Sequence, residues 1–208
     1  MRIISRIYRA FVYMSRSISR MTLDRMLNHY FKALPRARVL EIGANKYSLY
    51  SKKIRAASYR TMDIQRENEP TICADIHEIP MRDQSVDVVI ATEVLEHCRI
   101  PQNAIDEIYR VLSKEGVCIL STRFIYKIHG SPNDYYRFTD QALVYLFRDF
   151  KIKEIRAHGN KLGAIWDLFY QNDWPWRILF LINFPLGFLL SRRSKSCPCG
   201  YVVYAKKQ

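Results

Sequence analysis

The run "SVDVVIAT" at residues 85–92 constrains the fold of this chain more than any other segment. Val86–Ala91 is short, β-branched and almost entirely apolar, which is typical of a strand buried on both faces. Such a strand belongs in a parallel sheet that helices cover on each side. Similar short runs recur along the chain, and segments with helical spacing separate several of them. The sequence therefore predicts an α/β fold with a mostly parallel sheet.

The predicted elements alternate between strands and helices. Strands are predicted at Val39–Ile42, Tyr59–Ile64, Thr71–Ala74, Val86–Ala91, Val117–Thr122, Lys151–Ala157 and Tyr201–Ala205. Helices are predicted at Leu23–Leu34, Asn45–Ala56, Asn103–Leu112 and Asp140–Phe150. Pro35 is expected to end the first helix, and Asp140 is a candidate cap for the last.

Charge is distributed unevenly along the 208 residues, whose formal net charge is +13. Residues 1–40 carry nine Lys or Arg and one acid, residues 190–208 carry five and none, and residues 41–189 carry nineteen of each sign. The middle of the chain is therefore neutral and both ends are basic. Basic ends favour an anionic partner, either a membrane surface or a nucleic acid.

Two segments have the composition of membrane-interface elements. Residues 1–37 are predicted to form basic amphipathic helices, with the arginines of residues 2–20 on one face and apolar side chains opposite. These arginines are Arg2, Arg6, Arg9, Arg16 and Arg20. The main domain is predicted at 38–208, with an apolar insertion at about 160–197 that contains "WPWRILFLINFPLGFLL".

Both segments leave alternatives open. The N-terminal helix also fits a helix docked on the domain with a solvated arginine face. The insertion also fits a lid over a pocket or a dimer contact. No run reaches the roughly 20 apolar residues of a membrane-spanning helix, and the start of the chain has no signal peptide pattern.

The five cysteines do not have the number or spacing of a disulfide framework, which predicts a reducing compartment. Cys197-Pro198-Cys199 resembles half of a metal clip, but the chain has no second cysteine pair. We therefore predict no metal site.

The loop after the first strand, in "VLEIGANKYSLY", has one glycine where a dinucleotide-binding loop has three. Gly43 supplies the tight turn, Ala44 follows it, and Asn45 is among the few residues that tolerate positive φ. A loop of this kind suits a ligand without phosphates.

Acidic residues fall at the ends of four predicted strands, where ligands of parallel sheets bind. They are Glu41, Asp63, Asp75 and Glu93. Asp63 lies twenty residues beyond Gly43, a spacing typical of an acid that binds ribose. This negative charge opposes a pyrophosphate and favours a cofactor with a positive sulfonium and an amino group.

Six motifs follow one another in order: "VLEIGAN", "MDI", "CADIHEIP", "SVDVVIATEVLEHC", "IYRVLSKEGVCILST" and "HGSPNDYYRFTDQAL". Together they resemble the class I S-adenosylmethionine-dependent methyltransferases, in the group related to ubiquinone-type and glycan-cluster methyltransferases. The resemblance runs from about Val39 to Phe150 and resumes in the last strand. It implies a Rossmann-like, mostly parallel seven-stranded sheet with helices on both faces and an antiparallel last strand.

The resemblance also implies roles for individual residues. Asp63, beside Ile64, is expected to bind the ribose of S-adenosylmethionine, and Asp75, beside Ile76, its adenine amino group. Thr92 and Glu93 are expected to contribute backbone groups. Glu41 either contacts the cofactor or braces the loop through backbone N–H groups.

Candidate acceptor residues follow the fourth and fifth strands. They are His97, His129, Asp134, Tyr136 and Arg137. Histidine suits proton transfer near neutral pH, although His97 also fits a structural role. Orientation supplies much of the catalysis in a methyl transfer, so a base is needed only if the acceptor must lose a proton.

The predicted function is methyl transfer from S-adenosylmethionine to a small-molecule, glycan or lipid-linked acceptor, in the cytoplasm at the inner face of a membrane. One alternative is an adaptor that keeps the fold without catalysis. The other is an RNA methyltransferase, but its basic charge would continue across residues 41–189, so no nucleic-acid partner is expected.

Overall fold

The helices and strands alternate as the sequence predicts. The structure, a computed structural model, describes residues 18–44, 46, 48, 50–130, 133–169 and 196–208. Its strands are β1 Ala37–Ile42, β2 Ala56–Asp63, β3 Ile72–Cys73, β4 Val86–Thr92, β5 Leu112–Arg123, β6 Phe150–His158 and β7 Gly200–Lys207. Its helices are α1 Ile18–Ala33, α2 Pro101–Val111, α3 Asp140–Leu146 and α4 Lys161–Phe169. Single 3₁₀ turns cover Ser51–Lys53, Arg66–Asn68 and Leu95–His97.

The seven strands form one sheet in the order β3-β2-β1-β4-β5-β7-β6. Neighbouring strands are parallel, except that β7 is antiparallel to both β5 and β6. This confirms the predicted fold class, a mostly parallel seven-stranded sheet with an antiparallel last strand. The chain leaves β1 on one side towards β2 and returns on the other side with β4. A crevice forms at the carboxyl ends of the strands where the order reverses in this way.

Strand β4 is buried on both faces, as its composition predicts. Val89 and Ala91 join a core cluster with α2 and α3 on one face of the sheet. Val88 and Ile90 join a second cluster with α1 on the other face. Because successive side chains of a strand point to opposite faces, an almost wholly apolar strand requires a cover on each side.

Helix α1 is an integral part of the core. Its described part starts at Ile18, ahead of the predicted Leu23, and buries Leu23, Leu27 and Phe31 against the sheet. The ring of Tyr30 stacks on Tyr204 of β7 with centroids 5.1 Å apart. Its hydroxyl donates to Glu154 of β6 at 2.6 Å. The predicted amphipathic helix before residue 18 lies outside the described residues.

The predicted helix at Asn45–Ala56 is wrong over its described part. Only Ser51–Lys53 forms a 3₁₀ turn, and β2 begins at Ala56. The Ser48 hydroxyl accepts from the Ser51 backbone N–H at 3.1 Å and donates to Glu41. Serine competes in this way with the backbone bonds that a helix needs.

The cap of α3 also differs from the prediction. Thr139, rather than Asp140, is the N-cap, and its hydroxyl accepts from the Ala142 backbone N–H at 3.2 Å. The helix ends at Leu146 instead of Phe150, which already belongs to β6. The rings of Phe147 and Phe150 pack 5.1 Å apart across this change of direction.

Candidate cofactor and acceptor site

A cavity of about 600 Å³ opens at the carboxyl ends of the strands, where the strand order reverses. Nearly all the acids and histidines of the predicted site line it. From the predicted set, the lining includes Glu41, Gly43, Asp63, Ile64, Asp75, Ile76, Thr92, Glu93, His97 and His129. Ala44 is buried and not part of the lining, and Asn45 lies outside the described residues.

Gly43 occupies a position that only glycine fits. Its backbone N–H donates to the Met62 carbonyl at 2.8 Å, which turns the chain across the end of β2. Its φ is +72°, and a Cβ there would lie 2.3 Å from Cγ2 of Val94. Both the backbone conformation and the space exclude a larger residue.

Glu41 braces the loop that follows Gly43. Its buried carboxylate accepts from the Tyr59 hydroxyl at 2.7 Å and from the Ser48 hydroxyl. Burial and the neighbouring Glu41 charge raise the pKa of Tyr59, so Tyr59 stays protonated and donates. Side-chain partners therefore take the place of the backbone N–H groups expected for the brace.

Asp63 and Asp75 lie on the β2–β3 side of the cavity. Asp63 is 9% exposed, and its Oδ1 accepts from the Gln65 backbone N–H at 2.8 Å. Asp75 accepts from both the backbone and the ring Nδ1 of His77, at 2.9 and 2.5 Å. Partial burial acts to raise the pKa of Asp75, but the bonds from His77 outweigh it and lower the pKa. Asp75 therefore presents a charged carboxylate to the cavity.

Glu93 and Arg123 form a buried ion pair at the floor of the cavity. The Ser121 hydroxyl donates to the other carboxylate oxygen of Glu93 at 2.9 Å. Burial opposes ionisation of Glu93, but Arg123 outweighs it and lowers the pKa of the carboxyl. Glu93 has a φ of +58°, an uncommon conformation for a side-chain-bearing residue that is found at functional sites.

Arg20 and Tyr50 line the cavity as well, and the sequence did not indicate either of them. Arg20 reaches over from α1 and donates to the Tyr50 hydroxyl at 2.7 Å. Asp24, one turn along the helix, pairs with its Nε at 3.1 Å. Arg20 is therefore directed into the cavity instead of towards a surface, unlike the predicted role of the N-terminal arginines. The helical periodicity of α1 was the available signal, because Arg20 and Asp24 share one face.

The acceptor side of the cavity contains His97 and His129, whose rings meet edge to face with centroids 5.0 Å apart. The Nδ1 atom of His97 lies 2.5 Å from the Asn133 carbonyl, so Nδ1 carries the proton and Nε2 remains an acceptor. Burial and the neighbouring His97 lower the pKa of His129 against the opposing effect of Asp134. The His129 ring is thus neutral near pH 7.

Asp134, Tyr136 and Arg137 lie behind this wall rather than in the cavity lining. Both Asp134 oxygens pair with Arg137, at 2.5 and 2.6 Å, which lowers the pKa of the Asp134 carboxyl. The Tyr136 hydroxyl donates to the Arg99 carbonyl at 3.1 Å. Tyr135 lines the cavity in place of Tyr136.

One group among the described residues has ligand atoms close enough to hold a metal ion. Glu96, His97 and His129 each offer an atom within 4.8 Å of the others. Glu96 is fully buried and accepts from Thr122 at 2.9 Å. Burial, and then the charge of Glu93, raise the pKa of Glu96 to about 8. The Cys197-Pro198-Cys199 motif is a poorer candidate for a metal site. Burial raises the pKa of the Cys199 thiol to about 12, which disfavours the thiolate that binds metals.

Comparisons with known proteins agree with this fold. A family model described as a methyltransferase domain matches residues 28–120. A malonyl-(acyl-carrier protein) O-methyltransferase of Marinomonas sp. (strain MWYL1) is 33% identical over 55 residues. That match covers 26% of this chain and only 20% of the relative.

Among solved structures, the cyclase SpnF has a TM-score of 0.61 at 16% identity, over 91% of this chain and 81% of that one. An S-adenosylmethionine-dependent methyltransferase from Mesorhizobium loti has a TM-score of 0.56 at 13% identity, over 85% and 94%. This chain has a methyltransferase fold. The matched domain agrees with the predicted enzyme class, a methyltransferase. The Mesorhizobium loti structure is named as S-adenosylmethionine-dependent, which agrees with the predicted cofactor.

The described part of the chain contains no helix that combines the length and the apolar character needed to cross a membrane.

Proposed function

We propose that this chain transfers a methyl group from S-adenosylmethionine to a small-molecule, glycan or lipid-linked acceptor at a membrane surface. The observation that carries the proposal is the Gly43 turn with Asp63 and Asp75 around one cavity of a methyltransferase fold. When bound, S-adenosylmethionine supplies a methyl group that its positive sulfonium already activates. The protein has to bind this cofactor, orient it and admit an acceptor.

The charges around the cavity fit the polar groups of S-adenosylmethionine. We assign the ribose hydroxyls to Asp63 and the adenine amino group to Asp75, with Ile64 and Ile76 beside them. The backbone of Gly43, Thr92 and Glu93 faces the methionine end. The acids also complement the positive sulfonium and ammonium groups, because opposite charges at short range in a partly buried site attract strongly.

The carboxylate of the cofactor requires a cation, and Arg20 meets that need. The guanidinium is mostly buried at the cavity wall, where the Tyr50 hydroxyl and Asp24 orient it. Arg123, which also lines the cavity, is held against Glu93 between the ends of β4 and β5, whereas Arg20, although paired with Asp24, reaches in from α1. We therefore assign the cofactor carboxylate to Arg20, whose fork of N–H donors matches a carboxylate.

We assign the acceptor to the wall that contains His97 and His129. A neutral imidazole there can take the proton that a hydroxyl acceptor loses on methylation. Asn133 fixes the orientation of His97, and Asp134 lies 3.3 Å from Nδ1 of His129. An oxygen acceptor is also in keeping with the name of the Marinomonas relative, an O-methyltransferase of malonyl-(acyl-carrier protein).

Two alternatives lead to different measurements. An adaptor would keep the fold without binding the cofactor, and the cyclase SpnF shows similar architecture under a different named activity. An RNA methyltransferase would bind RNA tightly at low salt, with strong salt dependence. The neutral balance of residues 41–189 favours a small acceptor over RNA.

Calorimetry with S-adenosylmethionine tests the proposal. The wild type should bind S-adenosylmethionine and not NAD. Asp63→Asn should weaken binding by ~1–3 kcal/mol, because a charged hydrogen-bond acceptor is lost. Glu67→Gln, a nearby exposed change outside the cavity lining, should leave affinity unaltered. A folded wild type that gives no heat at millimolar cofactor would establish the adaptor.

Turnover needs its own measurement. Release of S-adenosylhomocysteine should occur on addition of membrane extracts or isolated glycans, and transfer of a labelled methyl group would identify the acceptor fraction. Release that depends on RNA instead would favour the RNA methyltransferase.

A further inference from the structure

Exposed apolar and aromatic side chains are concentrated on the edge of the sheet where the cavity opens. We call this set the mouth face. Its members are Ile64, Ile100, Ile128, Tyr135, Tyr136, Leu162, Ile165 and Leu168. Ile64 follows β2 and Ile100 precedes α2. Ile128, Tyr135 and Tyr136 lie between β5 and α3. Strands β5 and β6 are both antiparallel to β7 and are therefore parallel to each other. Helix α4 follows β6, so it begins at the same edge of the sheet as the residues after β5.

The other large apolar side chains exposed in the described residues, Val144 and Tyr145, lie in the last turn of α3. Helix α3 leads away from the mouth towards β6. The apolar exposure is therefore asymmetric, and exposed apolar patches mark interaction sites more often than scattered single residues do.

The described part of the loop that carries Ile128 is held by several hydrogen bonds. The Arg137 side chain donates to the carbonyls of Tyr126, Lys127 and Tyr136 at 2.7–3.3 Å, in addition to its two bonds to Asp134. This clamp keeps Ile128 90% exposed beside His129, which lines the cavity. A fixed loop with an isoleucine directed into water implies a partner for that side chain.

Charge on the same face favours a lipid partner. Arg99, Lys127 and Lys161 lie among the apolar groups. Of the acids at the cavity, Asp134 is 4% exposed and paired with Arg137, and Asp75, which is half exposed, is paired with His77. Tyrosines and basic residues around aliphatic side chains are typical of a membrane interface. The basic chain ends add attraction to anionic headgroups.

We propose that the mouth face rests on an anionic lipid surface, so that the acceptor enters the cavity directly from that surface. This rests on the proposed function, which already includes methyl transfer at a membrane surface, and adds which face of the fold meets the lipid. It identifies the acceptor as an amphipathic molecule whose apolar part stays in the lipid while its polar part reaches His97 and His129.

Quenching by brominated lipids tests the orientation. Ile128→Trp and the matched control Tyr145→Trp are mixed with phosphatidylglycerol vesicles that contain brominated acyl chains. The wild-type signal, from Trp166, Trp174 and Trp176, is subtracted. The added tryptophan at 128 should be quenched, and the one at 145 should not. Equal quenching at both positions, or quenching at 145 alone, would overturn the proposed orientation.

Partitioning provides a second measurement. Ile128→Asp combined with Ile165→Asp should reduce vesicle binding about tenfold or more, because two aliphatic side chains no longer leave water. Val144→Asp should bind like the wild type. Thermal unfolding should be similar in all variants because these side chains are exposed. Unchanged partitioning of the double variant would refute the proposal, as would a wild type that binds no anionic vesicle.

These results can be distinguished from a failure of the proposed function. Calorimetry with S-adenosylmethionine is carried out without lipid. A protein that binds the cofactor but not vesicles would therefore refute only the lipid contact, and the reverse result would refute only cofactor binding.

Discussion

The guanidinium of Arg123, at the end of β5, and the carboxylate of Glu93, just after β4, form an ion pair whose two side chains are 9% and 11% exposed. The pair joins the ends of two neighbouring strands beneath the cavity. It also coincides with the positive φ of Glu93, so the surrounding contacts hold a conformation that the residue does not favour by itself.

Arg123→Gln should lower the free energy of unfolding by about 3–5 kcal/mol, because it leaves Glu93 buried without its partner. Arg38→Gln breaks the exposed pair between Arg38 and Asp87 and should cost about 1 kcal/mol or less. Urea denaturation gives both values. Similar losses of unfolding free energy in the two variants would mean that water or another group stabilises the buried charge of Glu93.

Glu96 should make stability fall as pH rises. Its pKa is raised to about 8 in the fold, so the folded state holds a proton that the unfolded chain releases near its ordinary value of 4.5. Stability from this group is complete below about pH 4.5 and is lost towards pH 8, by up to about 1.4 kcal/mol per unit. Denaturation curves of Glu96→Gln should lack this slope between pH 5 and 8. A slope identical to wild type would assign it to another group.

Arg20→Gln should weaken S-adenosylmethionine binding by about 1.5–3 kcal/mol, because the variant loses a charge-assisted bond to the carboxylate. Decarboxylated S-adenosylmethionine lacks that group, so the wild type and Arg20→Gln should bind it with equal affinity in calorimetry. If the variant loses affinity for both ligands equally, Arg20 supports the cavity wall without binding the carboxylate.

His129→Gln should reduce turnover about 100-fold or more if the imidazole takes the acceptor proton. Its affinity for S-adenosylmethionine should change little, because His129 is assigned to the acceptor and not to the cofactor. Tyr136→Phe, outside the lining, removes only the bond to Arg99 and should have a smaller effect. Steady-state kinetics and calorimetry on the same preparations separate the two roles. A parallel loss of cofactor affinity in folded His129→Gln would contradict the assignment.

Changing Arg2, Arg6, Arg9 and Arg16 together to Gln should release the chain from anionic liposomes at low salt. Each basic residue near such a surface contributes about 1 kcal/mol. Arg20 is kept, because its side chain lines the cavity and its loss would confuse the outcome. Co-sedimentation measures the bound fraction, and added salt should lower wild-type binding as well. Equal binding of both proteins would exclude these residues as the anchor.

Sequence reasoning was most accurate where one local pattern determines the structure. The apolar run of β4, buried on both faces, led to the sheet and its covering helices. Gly43 and Asp63 were predicted at strand ends from turn conformation and from spacing along the chain, which are local properties. Both line the same cavity in the fold.

Reasoning from sequence failed where specific side-chain pairings, at short or long separation along the chain, determine the structure. Arg20 was predicted to lie on a surface face of arginines. Its contact with Tyr50, 30 residues away in sequence, could not be inferred from the helical pattern. Asp134 and Arg137 looked catalytic from their composition, but they bond mainly to each other and to nearby backbone. The helix expected after Asn45 did not form over its described part because the Ser48 hydroxyl bonds to Glu41 and to the following turn. None of these pairings has a periodic signature.

The antiparallel strand has a consequence for how the protein is made. Strand β7 lies between β5 and β6, although it is the last of the strands along the chain. Among the described strands, β6 therefore has no neighbour to pair with during synthesis until β7 has left the ribosome. Until then the edge of β5 is also open, and unpaired strand edges invite aggregation. Nascent chains stalled before this point should depend on chaperones, and completion of β7 should release them.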